Sequence, residues 1–305
     1  MRELLAALFN LLIFPGLGFL FVCAMAFEWG DRRLIARFQG RVGPPWYQPF
    51  ADLIKLLAKE DILPNDAEET TAAVLPMLSL AAVLTAALYV PVAGYAPLSF
   101  EGDLIVVLFL LSLPTLAHFL AGWVTVGVYS ILGGNRSLLQ FFSYEVPFLM
   151  ALSTPAIFNG SWTIAEITAR QTVWNIFILP LAFLVALVGL IGKLKRDPLD
   201  IPKAKSEMVA GPLTEFSGRK LALWRLSMDM QTVVGVFLLV NLFSGGASML
   251  APLAFVFKAL AILALLSTAS VLYARLRIDQ LAHLGWRVLA PLALLQLLVT
   301  VWMGG

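Results

Sequence analysis

Cysteine is almost missing from this chain: its 305 residues include one, Cys23. A single thiol cannot close an intramolecular disulfide, and it cannot supply the roughly four ligands of an iron–sulfur cluster. It lies in an apolar run and reads as a small buried hydrophobe. Histidine is nearly as scarce, with His118 in an apolar run and His283 in a polar stretch. A bis-histidine haem would need two such ligands at matched depth. No glycine-rich phosphate loop, HExxH motif or nucleophile–base pair stands in the sequence. We therefore expect this chain to bind no cofactor or metal, and the redox centres it serves to sit on other chains. Charge is also sparse. Only 13% of residues are Asp, Glu, Lys or Arg, against roughly 25% in a soluble domain. The net charge of +2 gives no general nucleic-acid surface.

What the chain has instead is apolar surface, with 60% of residues hydrophobic. One soluble core of this size cannot hide that much, so lipid is the expected solvent. A membrane span needs roughly 20 apolar residues, and the runs predict eight, near 4–27, 72–95, 104–130, 146–160, 173–194, 222–244, 250–274 and 287–303. The fourth is the shortest. The first run does not read as a cleaved signal peptide, because Glu28-Trp29-Gly30 follows it where a small-residue cleavage site would stand. The expected fold is an all-α membrane protein, a single polytopic domain over 1–305.

Eighteen of the twenty-one Lys and Arg residues fall in segments on one side of this topology. The positive-inside rule assigns that side to the cytoplasm and both termini to the outside of the cell membrane, which needs an even number of spans. The long charged segments 28–71 and 195–221 then form one inward face. In the first of them, Pro49–Glu60 predicts a short amphipathic helix with Phe50, Leu53, Ile54 and Leu57 on one side. It should lie in the membrane interface or under a partner.

Ionisable residues within or beside apolar spans are costly and mark candidate ion paths. Glu145 stands at the predicted start of the fourth span, either as a carboxylate favoured by a helix N-terminus or as a relay group. Asp229 falls inside the sixth span. Lys258 falls inside the seventh, central enough for a charged partner or a polar cavity, unless it snorkels to an interface. The segment 193–207 is dense in both signs and, on composition alone, reads as a solvated positive-inside loop.

Several motifs in order then resemble a known family. They are ARFQGRVGPP over Ala36–Pro45, QPFADLIKL over Gln48–Leu56, QFFSYEV over Gln140–Val146, DPLDIP over Asp197–Pro202, SEMVAG over Ser206–Gly211, TEFSG over Thr214–Gly218, and RIDQL over Arg277–Leu281. The chain resembles the H-type membrane subunit of respiratory complex I and its counterpart in energy-converting membrane-bound hydrogenases. The resemblance implies eight membrane helices with a short interfacial helix after the first. It also implies a role in anchoring a hydrophilic redox arm and passing redox energy to ion-pumping subunits. The four residues between Gly43 and Gln48 resemble the short form of the hydrogenase branch. Lys203 and Lys205 stand where the family usually has glutamate, and Lys193 where complex I is acidic.

The expected function is a membrane anchor and coupling subunit of a hydrogenase-like, complex I-related oxidoreductase. It would link electron transfer to proton or sodium translocation. The alternatives are a quinone-site subunit of an NADH:quinone oxidoreductase, a subunit of a sulfur-reducing relative, or an independent ion transporter. Glu145, Asp200, Glu207, Glu215, Asp229 and Lys258 are the candidates for ion coupling. Arg37, Arg41, Asp52 and Lys55 are the candidates for docking the arm, with Glu207 and Glu215 beside them. The resemblance implies redox-arm partners carrying iron–sulfur clusters and, in the hydrogenase branch, a nickel–iron site on a large subunit. Antiporter-like membrane subunits complete the expected partners.

Overall fold

The computed structural model describes residues 2–246 and 252–304. No strand occurs among them, only an isolated bridge between Val92 and Tyr95. The helices are α1 (Arg2–Leu12), α2 (Leu17–Phe38), α3 (Gln48–Ala58), α4 (Glu69–Tyr89), α5 (Asp103–Val124), α6 (Val128–Asn159) and α7 (Ile164–Arg170). They continue as α8 (Asn175–Ile178), α9 (Pro180–Leu194), α10 (Lys205–Met208), α11 (Gly218–Phe243), α12 (Pro252–Leu272), α13 (Ile278–Leu284) and α14 (Ala290–Gly304). Among the described residues, seven stretches are long and apolar enough to cross a membrane, one fewer than the eight expected; the fifth expected span corresponds to α9, which is apolar but shorter.

The third, fourth and fifth predicted spans are drawn differently by the structure. The third ends at Val124, and a tight turn leads directly into α6, which at 32 residues is long rather than short. Close approach explains the early turn: a Cβ on Gly122 would lie 2.3 Å from the Ser130 carbonyl oxygen. The polar stretch between 130 and 145 is therefore helix. It buries Ser130, Ser137, Gln140, Ser143 and Glu145 against other helices instead of showing them to water. The other difference is the fifth span. It breaks at Leu179 ahead of Pro180, whose ring and missing N–H do not continue a helix. α9 alone has 15 residues.

α11 lies at the centre, with most of its length buried, and it packs on α2, α3, α4, α9 and α12. A continuous core joins its Val233, Phe237 and Val240 to Leu20 and Met25 of α2, Leu111 of α5, Phe148 of α6 and Leu190 of α9. Prolines sit inside α4, α5 and α6, as neighbouring helices in a membrane bundle allow.

The predicted amphipathic helix is present as α3, with proline in its first turn. Its apolar side is split. Phe50 and Leu53 pack inward beside buried Leu56, while Ile54 and Leu57 stay exposed. At the end of the bundle that α3 occupies, ion pairs tie distant segments together. Arg32 meets Asp52 at 2.8 Å, Lys220 meets Asp61 at 3.1 Å, Arg196 meets Asp31 at 2.9 Å and Arg275 meets Asp200 at 2.9 Å. The opposite end has Arg170 on Glu166 and a hydrogen bond from Tyr95 to Asn10. Arg136, expected in a loop, lies on α6 at the ion-paired end and reaches Glu207.

Candidate ion-coupling site

The site begins at α9, whose sequence places two glycines beside a lysine. A Cβ at Gly189 would fall 2.5 Å from the Phe148 ring, and one at Gly192 would fall 2.8 Å from the Tyr144 ring. Without side chains there, α9 closes onto α6, and Lys193 is laid against Glu145. Nζ of Lys193 donates to Glu145 Oε1 at 2.8 Å, and both side chains are almost fully shielded, at 1% and 7% exposure. Ser112 of α5 donates to the same carboxylate oxygen. Lys193 also approaches the Leu111 carbonyl at 3.4 Å, and Gln231 of α11 donates to that carbonyl at 3.2 Å. Four helices thus meet at one ion pair. Oε2 of Glu145 is buried and accepts no hydrogen bond among the described residues.

Glu145 is the eighteenth residue of α6, so its place is mid-helix. The helix-start reading fails on this geometry, and the charged partner of Glu145 is Lys193. Two charges in such a place lose several kcal/mol of hydration each, and only close geometry returns it.

Beyond Lys193 the chain turns at Lys195, which has φ +51°, and enters a cavity of about 540 Å³ between α2, α11 and the 194–216 segment. Asp229, Glu28, Asp31, Arg32, Lys195, Arg196, Lys203 and Arg225 line it. Arg32 is held by Glu28 at 2.6 Å, and Asp31 accepts from Ser267 at 2.6 Å as well as meeting Arg196. Asp229 has no ion pair or side-chain hydrogen bond among the described residues. Lys203 rests on the Met228 sulfur at 2.8 Å, and burial brings its pKa down to about 8. Burial, with Lys203 and Lys193 nearby, pushes Lys195 well below the usual lysine range. The 193–207 segment is therefore packed structure, not the solvated loop its composition suggests. The side chain of Lys205 lies outside the described residues.

The remaining candidates divide by place. Asp200 pairs with Arg275, yet burial and the neighbouring Asp197 carboxylate push its carboxyl up to about 6. Glu207 is on the surface, and its hydrogen bond from Arg136 lowers its pKa. Glu215 covers Gly127 at the α5–α6 turn. Arg37, Arg41 and Lys55 are exposed at the same end, while Asp52 bridges Arg32 and Lys55 and is held low by the Arg32 hydrogen bond. Lys258 is the outlier. It lies at the other end of α11, donating to the Ser244 and Gly246 carbonyls at 2.6 and 2.8 Å, with the Trp174 ring 4.9 Å away. Sequence reasoning did not single out Asp31, Lys195, Arg196, Gln140 or Gln231. Gln140 opened a family motif, Lys195 and Arg196 stood in the charge-dense 193–207 segment, Gln231 was a polar residue within a span and Asp31 a polar residue just past one, but none of these signals pointed to a site.

An all-helical bundle with seven candidate membrane spans, most of its ion pairs gathered at one end and an ion pair buried among its helices defines the class of protein: a polytopic membrane protein. The family model described as NADH dehydrogenase matches residues 11–301, and the chain belongs to that family. It is 34% identical over 295 residues to the H subunit of NADH-quinone oxidoreductase from Dehalococcoides mccartyi (strain CBDB1), covering 93% of this chain and 84% of that one. The H subunit numbered 2 of the NADH-quinone oxidoreductase of Geobacter sulfurreducens is 38% identical over 292 residues, covering 89% of each. Among solved structures, a chain of the membrane-bound sulfane sulfur reductase, an archaeal respiratory membrane complex, superposes with a TM-score of 0.88. It is 27% identical and covers 98% of this chain and all of that one. The protein is thus a complex I H-subunit-like, multi-pass membrane subunit, and its relatives work within multi-subunit respiratory complexes.

Proposed function

We propose that this chain is the membrane anchor and coupling subunit of a hydrogenase-like, complex I-related oxidoreductase, linking electron transfer in a hydrophilic arm to proton or sodium translocation. The observation that carries the reading is the Glu145–Lys193 pair. It is buried among α5, α6, α9 and α11 and joined through Lys195 to a cavity lined with titratable groups. Buried pairs break at a cost of about 3–5 kcal/mol when one partner loses its charge. A redox event that moves charge at the cavity can therefore shift the proton between Glu145 and bulk groups. Exposed Arg37, Arg41 and Lys55 and the bridging Asp52 form the docking edge. The iron–sulfur clusters, and a nickel–iron centre in the hydrogenase branch, are carried by the docked subunits. Antiporter-like subunits lie alongside in the membrane. The ion-paired end faces the cytoplasm, with both termini outside, because most Lys and Arg lie there.

The names of the relatives favour a second reading, a quinone-site subunit. The charge around the cavity weighs against it, because an apolar quinone ring gains little from eight ionisable neighbours. The separating experiment is Glu145→Gln in the whole complex, which keeps shape and removes charge. Electron transfer by the arm is expected to persist in detergent while ions moved per electron in sealed vesicles fall. Unchanged translocation with normal assembly defeats the coupling role.

A further inference from the structure

The cavity carries more cation than its carboxylates can answer. Glu28 is engaged by Arg32, and Asp31 by Arg196 and Ser267. That leaves Asp229 facing Lys195, Lys203 and Arg225. Lys195 is only 7% exposed and makes no side-chain hydrogen bond or ion pair among the described residues. Lys203 has a thioether for a partner, a weak acceptor. The positive-inside tendency accounts for lysines in water at this end of the bundle. It does not account for one buried with no carboxylate in hydrogen-bond reach among the described residues, since a buried cation without a bonded partner is strongly disfavoured. Beside these groups, Leu213, Phe216 and Leu221 give the cavity an apolar wall.

From this juxtaposition we infer that the cavity is a binding site for a phosphate-type anion, with Lys195 and Lys203 holding the anionic group and Leu213, Phe216 and Leu221 the apolar body attached to it. An acidic phospholipid entering from the leaflet on this side supplies both parts, and basic pockets between membrane helices take such headgroups. Free phosphate supplies only the first. Lysine suits either source, being a compact point charge with three donors. Occupancy also completes the electrostatics of the site, because the anion holds both lysines in their charged form. The proposal stands apart from the coupling role, since an anion is held here whether or not Glu145 relays protons.

The test uses the intact complex purified in a neutral detergent, with phosphatidylglycerol, phosphatidylcholine and inorganic phosphate as probes and retention read by native mass spectrometry. One phosphatidylglycerol per complex is expected to survive detergent exchange, and phosphatidylcholine is not. Lys195→Gln should reduce retention by about tenfold or more, a charge-assisted contact being lost. Lys195→Arg should restore it, and Lys59→Gln at an exposed position should leave it unchanged. Retention of the lipid that millimolar phosphate does not disturb assigns the site to lipid. Binding of phosphate without lipid assigns it to the free anion. Binding of neither, or equal retention of phosphatidylglycerol by wild type and Lys195→Gln, overturns the proposal. Glu145→Gln should leave retention intact, so failure of the coupling role and failure of this site are read separately.

Discussion

Lys193 and Lys258 both interrupt apolar helices, and the fold satisfies them in opposite ways. Lys193 meets a carboxylate and a hydroxyl where four helices converge. Lys258 meets only backbone carbonyls just past the end of α11 and the face of Trp174. A cation at the C-terminal end of a helix offsets the dipole and supplies donors to carbonyls that the helix leaves unpaired. The carbonyls and the indole that surround Lys258 take up no proton near neutral pH. The arrangement at Lys193 joins the ammonium to a carboxylate. Under the proposed coupling role, the lysine with a carboxylate facing it is the stronger candidate, and sequence position alone does not reveal which one that is.

Lys193→Met is the strongest way to test this difference. It leaves Glu145 buried without a cation, at an expected cost of about 3–5 kcal/mol. Thermal unfolding or subunit loss in detergent should show it, and the double change with Glu145→Gln should recover most of the loss. Lys258→Met removes two charge-assisted hydrogen bonds from carbonyls near the far surface, a smaller cost of about 1–3 kcal/mol. It should leave ions moved per electron unchanged, and a translocation defect there would break the comparison. Asp200 provides the smallest effect. Its carboxyl, raised to about 6 in the fold, binds its proton more tightly than in the unfolded chain. Its contribution to stability is present below the unfolded carboxylate range and is lost as pH rises through about 6. Asp200→Asn should remove that dependence and change stability at neutral pH by about 1 kcal/mol or less, after solvent screening and loss of the Arg275 contact. Melting curves between pH 4 and 7 measure it.

The apolar runs revealed the membrane class, and the basic residues revealed which segments share one face. Both depend on local composition. The α5–α6 turn was not legible, because Val124-Thr125-Val126-Gly127-Val128 is as apolar as a span interior while the true interior of α6 carries Gln140, Ser143 and Glu145. Polar residues inside a bundle look like loop when the facing helix is unknown. Glu145 stood out as a carboxylate within a motif, but its partner did not. Lys193 ends an apolar run beside a basic stretch, where a snorkelling or positive-inside lysine is the ordinary reading. The pairing rests on the register of α9 against α6, which Gly189 and Gly192 set through ring contacts to Phe148 and Tyr144.

Gln140 acts as a latch. Its one amide nitrogen holds the Gly192 carbonyl at 2.8 Å and the Leu199 carbonyl at 2.7 Å, clamping both ends of the 192–199 segment to α6. Glu145 lies five positions further along that helix, about 7.5 Å at 1.5 Å of rise per residue. Under the proposed coupling role, a displacement of this segment would reach the buried pair through about one and a half turns of helix. Gln140→Leu would remove the latch while leaving every charge in place. The expected result is an arm that still docks and transfers electrons while its stroke no longer reaches Glu145, so that electron flow and ion movement run out of step.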